Sequence, residues 1–124
     1  AVCNAVENVL NQEYKKMGLP GRPFLSYRCS QTYSEGVCIY FTFGFYYGNH
    51  KDPSGVYERI EKKLRQTILD HGGSLTYHHG VGKLRQGFLS QLVKPVMIQT
   101  AKAVKRSVDP ENIFGLDNGL VTRD

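Results

Sequence analysis

No stretch of this 124-residue chain reaches the roughly 18 consecutive apolar residues that a membrane-spanning helix needs. No internal repeat or low-complexity tract is present, which excludes solenoid and array architectures. No secretory leader pattern stands at its start. The chain opens on Ala1-Val2-Cys3 without a methionine, in what reads as a helix already under way, so it is expected to be the end of something longer. Its last residues, Val121-Thr122-Arg123-Asp124, do not form a peroxisomal tripeptide. Cysteine is scarce: Cys3, Cys29 and Cys38, with no CxxC spacing. An odd count without paired spacing argues against a disulfide framework and against a zinc knuckle. Free thiols in a reducing compartment are the simplest account, with a bridge between Cys29 and Cys38, on neighbouring strand-like runs, left open.

The length suits one domain, and a composition of 40% hydrophobic and 22% charged residues is ordinary for a globular chain able to bury a core. The formal charge of +5 permits an anionic partner such as a phosphate ester without requiring one. Val2, Val6, Val9, Leu10 and Tyr14 recur at helical spacing, and Gly18 and Pro20 end that helix. Two strand-like runs follow, Phe24 to Tyr33 and Val37 to Tyr47, with a tight turn at Ser34-Glu35-Gly36. The second run is apolar enough to predict a central strand, covered on both faces or facing a cavity. Val56, Ile60, Leu64, Thr67 and Ile68 predict a second helix, capped by Ser54 or by Asp52 with Pro53 at its first position, and stopped at His71-Gly72. Residues 74–78 predict a short strand, and residues 83–107 a last helix kinked at Pro95. Asp109 to Gly115 reads as a turn. The order predicts an α+β fold, an antiparallel sheet with helices on one face and a ferredoxin-like half.

Chemistry concentrates in Gly72-Gly73-Ser74-Leu75-Thr76-Tyr77-His78-His79-Gly80-Val81-Gly82-Lys83-Leu84-Arg85. Imidazoles take and give protons near neutral pH, and glycines let backbone turn sharply against a ligand. The stretch therefore reads as the edge of an active site. Adjacent histidines on a strand alternate faces, so one of the two could be purely structural. Lys83 and Arg85 are candidates for an anionic group, with a solvated helix start as the competing reading.

Three segments carry a family resemblance. Gly73 to Arg85, Gln31-Thr32-Tyr33-Ser34-Glu35-Gly36-Val37-Cys38-Ile39-Tyr40-Phe41, and Val108-Asp109-Pro110-Glu111-Asn112-Ile113-Phe114-Gly115 each resemble a motif of the alkyldihydroxyacetonephosphate synthase family. These are flavoenzymes of ether-lipid synthesis, similar to FAD-linked oxidases of the vanillyl-alcohol-oxidase type. The resemblance runs from about Tyr27 to Gly115. It implies that residues 1–124 are a C-terminal, cap or substrate, domain fragment whose sheet is a ferredoxin-like part of that cap. It places the FAD-binding domain in an N-terminal portion outside this chain. The chain alone is then not expected to be active.

The implied reaction replaces the acyl chain of acyl-dihydroxyacetone phosphate with a long-chain alcohol, using FAD without net redox change. The implied site has Tyr40, His78 and His79 as catalytic groups, Asn112 and Phe114 near the flavin, and Tyr77, Lys83 and Arg85 toward substrate. The family usually shows three consecutive histidines; here the first position is Tyr77. The resemblance further implies a peroxisomal or glycosomal location, a homodimer, a membrane-surface association and no nucleic-acid partner. Met97, Ile98 and Val104 could be core or could line the path of an acyl or alkyl chain.

Related flavin dehydrogenases of 2-hydroxy acids carry strand histidines and a loop glutamate that can hold a divalent metal. Here the strand positions are Tyr33 and Tyr40 and the loop position is His78. Phenols and a lone imidazole cluster make a poor divalent site, so no metal is predicted. The competing functions are such a dehydrogenase and a basic RNA-binding module, the latter suggested by Phe41-Thr42-Phe43-Gly44-Phe45.

Overall fold

The computed structural model describes residues 1–76, 78–116 and 118. It falls into two compact units, Ala1–Ser74 and Leu75–Asp124. The first begins with helix α1 (Val2–Lys16), continues through strands β1 (Phe24–Tyr33) and β2 (Gly36–Gly44), and ends with helix α2 (Pro53–Asp70).

The α1 apolar stripe buries Val6, Leu10 and Tyr14, and the α2 stripe buries Val56, Ile60 and Leu64 in the same core. Leu25, Phe41, Phe43 and Phe45 pack onto this core from the sheet side. The phenol of Tyr14 can be buried because its hydroxyl has partners: it donates to the Pro20 carbonyl at 2.5 Å, with the Tyr46 carbonyl 3.0 Å away. Stacking of Phe43 on Tyr57, with centroids 5.2 Å apart, ties β2 to α2.

Both helices end in the same way. Gly18 (φ 63°) follows α1 and Gly72 (φ 77°) follows α2, in the left-handed region that glycine enters without steric cost. In each case the glycine N–H and the next N–H return to carbonyls of the last turn: Gly18 to Lys15 and Leu19 to Tyr14, Gly72 to Leu69 and Gly73 to Ile68. This pairing satisfies carbonyls that the helix itself leaves open. At the start of α2, Asp52 is the cap. Its Oδ1 accepts from the Gly55 N–H at 2.9 Å, and Pro53 occupies the first turn.

β1 and β2 form a two-stranded antiparallel sheet joined by Ser34-Glu35. The apolar second run is thus not a central strand covered on both faces: it pairs with β1 alone among the described residues, and Val37 is half exposed. The inner-face aromatics Phe41 and Phe43 spend its apolar character on one side against the helices. An aromatic-rich sequence does not fix how many neighbouring strands a run receives.

The register slips between Cys29 and Gln31, so Ser30 is an extra residue on β1. Cys29 lies opposite Ile39 while Cys38 lies opposite Gln31. Since side chains alternate faces, the two cysteines point to opposite faces of the hairpin, and all three thiols are free.

The second unit departs further from expectation. Residues 74–78 contain no strand among those described; the Thr76 carbonyl instead accepts from the His79 N–H at 3.0 Å, closing a turn. The single kinked helix expected over 83–107 is three pieces: α3 (Gly82–Arg85), a 3-10 turn (Gln86–Gln91) and α4 (Pro95–Val108). The cause is steric. A residue before proline is driven out of the helical region, and Lys94 is extended at φ −61°, ψ 142°. Pro95 therefore opens a new helix, where its missing N–H does no harm. No residue of α4 is buried, and Val96, Met97, Val104 and Val108 are exposed.

Candidate active site

Tyr40 lies on the face of the hairpin turned away from the helical core, directly opposite Arg28. The Arg28 guanidinium stands 5.9 Å from the centre of the Tyr40 ring, within range of a cation–π contact. Ser26 and Thr42 flank this pair on the same face. The bulge at Ser30 adds a member. Beyond it the facing order of β1 is reversed, so Gln31 and Tyr33 join Tyr40 on the outer face instead of sharing the side of Leu25 and Tyr27. Simple alternation assigns Tyr33 to the wrong face, because nothing in the local sequence announces the bulge.

His78 and His79 are exposed and adjacent in space as well as in sequence. Their rings meet edge to face, with centroids 4.3 Å apart and planes at 87°. The turn that carries them is held from both sides. The His79 N–H bonds to Thr76 on the near side, and the Arg85 Nη1 donates to the Gly80 carbonyl at 2.8 Å on the far side. Gly80 (φ 75°) and Gly82 (φ 58°) supply left-handed turns between the imidazoles and α3. Arg85, a candidate for the substrate anion, uses one guanidinium nitrogen to brace the histidine turn. Lys83 is exposed. Tyr77 lies outside the described residues.

Asn112 and Phe114 sit on the turn after α4, and the residue that organises this turn is Asp109. Its side chain is 6% exposed. One carboxylate oxygen accepts from the Ile113 N–H and the other from the Phe114 N–H, each at 2.9 Å, and Lys105 pairs with it as an ion pair. Asn112 takes a left-handed φ of 52°, a region its short amide tolerates better than most side chains. The sequence signal for Asp109 was available as an acid before proline at a helix end, but it marks turns in general.

The structure thus joins Tyr40 to Arg28, with Tyr33 on the same hairpin face, His78 to His79, Arg85 to Gly80, and Asn112 and Phe114 to Asp109. Tyr40, Arg28 and Tyr33 belong to the first unit and the other groups to the second. One electrostatic feature spans much of the second unit: residues 71–108 contain six lysines and arginines and no acid. Among the described residues no cluster of three or more His, Cys, Asp or Glu side chains is placed to hold a metal ion.

Residues 1–115 match the model of the C-terminal domain of FAD-linked oxidases. The chain belongs to this family. FAD is accordingly the cofactor of the enzymes in which this domain occurs. The exposed Phe114 ring and the Asn112 amide, on a turn fixed by Asp109, are suited to the edge of a flat ring that both stacks and hydrogen-bonds. The chain is 37% identical over 118 residues to an alkyldihydroxyacetonephosphate synthase of Caenorhabditis elegans, covering 95% of this chain and 20% of that protein. It is 30% identical over 102 residues to the synthase of Dictyostelium discoideum, covering 82% of this chain and 16% of the relative. A glycolate oxidase subunit of Bacillus subtilis is 34% identical over 60 residues, 46% of this chain and 13% of that subunit. The chain therefore spans about a fifth or less of the relatives it matches. The α+β class, with helices on one face of an antiparallel sheet, agrees with the family.

Proposed function

We propose that this chain is the C-terminal cap, or substrate, portion of a flavoenzyme that exchanges the acyl chain of acyl-dihydroxyacetone phosphate for a long-chain alcohol. The product is alkyl-dihydroxyacetone phosphate, an ether-lipid precursor. The observation that carries this reading is the extent of similarity: the synthase of Caenorhabditis elegans aligns over 95% of the chain, the glycolate oxidase subunit over 46%. The residue pattern supports it, with phenols at 33 and 40 and an imidazole at 78 where metal-using dehydrogenases of 2-hydroxy acids carry histidines and a glutamate.

The exchange breaks the carbon–oxygen bond to the fatty carboxylate and forms one to the alcohol oxygen, while the alcohol proton ends on the released acid. A proton leaves the reacting carbon and one returns. Bound FAD supplies the electron-accepting ring for this chemistry, without net redox change. Tyr40 gives or takes a proton at the reacting carbon, and His78 and His79 divide the roles of base and orienting partner. Their edge-to-face packing limits how far either ring can turn, which favours one imidazole acting against a partner that holds it. Phe114 and Asn112 contact the flavin. Lys83 and Arg85, in a stretch of cations without acids, suit the substrate phosphate, and Tyr77, earlier in the same motif, is assigned to the substrate as well. The exposed apolar residues Met97 and Val104 offer a path for the acyl or alkyl chain.

The FAD-binding domain belongs to a preceding part of the same protein. The assembly is a peroxisomal or glycosomal homodimer working at a membrane surface, with no nucleic acid and no metal. The test uses the intact, FAD-loaded protein given acyl-dihydroxyacetone phosphate and hexadecanol. Release of fatty acid with formation of the ether is expected. Oxidation of a 2-hydroxy acid with an electron acceptor, and no ether formed, would overturn the reading in favour of a dehydrogenase.

A further inference from the structure

We infer that Asp109 is a positioning residue for the flavin-facing turn: its buried carboxylate sets the orientation in which Asn112 and Phe114 are presented. A residue that merely ended α4 would need only its own backbone, and the Asp109 N–H does bond back to Lys105 at 2.8 Å. The carboxylate does something else. It reaches forward, and its two oxygens separately fix the N–H groups four and five residues on. The Asp109 carbonyl takes a third, from Asn112, at 3.0 Å. Three consecutive N–H groups are thereby pointed at one residue, and the side chains of Ile113 and Phe114 are left facing outward. Ile113 is 70% and Phe114 73% exposed, so these apolar groups are held out by the clasp and not by a core of their own.

A buried carboxylate needs a compensating cation, and the Lys105 ammonium, on the preceding turn of α4, provides it. The helix and the turn are in this way locked through one ion pair. The inference rests on the assignment of this turn to the flavin, and the experiment separates the two.

The full-length, FAD-loaded protein is compared with its Asp109→Asn, Lys105→Met and Phe114→Ala variants. The readouts are the visible absorption and circular dichroism of the bound flavin, its dissociation constant, and thermal unfolding. Asparagine keeps one acceptor oxygen but sets an N–H₂ against the Phe114 N–H. Asp109→Asn is therefore expected to perturb the flavin spectrum and weaken FAD binding by about tenfold, the scale of one buried hydrogen bond left unmade. Lys105→Met is expected to do the same more weakly. A wild-type flavin spectrum and affinity in Asp109→Asn, with both altered in Phe114→Ala, overturns the positioning role and leaves the turn at the flavin. Silence in both variants overturns the role together with the assignment. If Asp109→Asn does not fold, Lys105→Met decides: an unaltered spectrum overturns the inference.

Discussion

The two units use their apolar residues in opposite ways. Residues 1–74 gather Val6, Leu10, Val56 and Ile60 into a core where each is at most 1% exposed, and close both helices with matching glycine turns. Among the described residues of the second unit, Leu75, Phe88 and Leu89 are the buried apolar groups, while Met97, Val104, Ile113 and Phe114 stand in the open. Shape in the first unit comes from packing. Shape at two turns of the second comes from polar clasps, Arg85 on Gly80 and Asp109 on the residues after it. Packing tolerates little change in volume but asks nothing of individual polar groups. A clasp frees the side chains it holds for contact with something else.

The largest expected effect tests the core half of this contrast. Ile60→Ala should lower the stability of the intact protein by about 2–5 kcal/mol in urea unfolding, since Ile60 is fully buried. The same truncation at Val104, 58% exposed in this chain, should be nearly silent in stability and should instead raise KM for long alcohols. An equal loss of stability at both positions would erase the contrast. Next in size, His78→Ala and His79→Ala should each slow alkyl transfer by at least about a hundredfold, the scale of one proton-transfer role. Their melting temperatures should stay at the wild-type value, as exposed side chains allow. Near-normal turnover in both would remove the chemistry from the turn. The smallest effect falls on the surface of the first unit. Lys16→Ala breaks the ion pair with Glu13, but Lys16 is largely exposed, and the change should stay within about 0.5 kcal/mol. A larger loss would show that charge, as well as packing, carries that unit.

Periodicity made the first unit legible. The helix stripes, the Ser34-Glu35 turn, the Asp52 cap and the stop at Gly72 all follow from local preferences that point the same way as the fold. The inner-face alternation of Leu25, Tyr27 and Cys29 was equally readable. The second unit was less so, because its determinants compete. Residues 74–78 read as a strand, but the bond from the His79 N–H to the Thr76 carbonyl turns the chain there. The apolar spacing from Leu84 to Val104 suggests one helix, and the restriction that Pro95 places on Lys94 divides it. For the site, residue types singled out the histidine pair, yet the use of Arg85 as a brace and the forward reach of Asp109 depend on side-chain geometry that spacing does not encode.

The bulge at Ser30 imposes a rule of parity on the hairpin. Removing that one residue would restore plain alternation with Gln31 and Tyr33 still on the face of Tyr40, whereas keeping it and flattening the bulge would send both round to the helix side. Between Cys29 and the hairpin tip, a homologous protein shorter by one residue should therefore lack the bulge and still carry its phenol on the face of Tyr40, while one of equal length should keep the bulge.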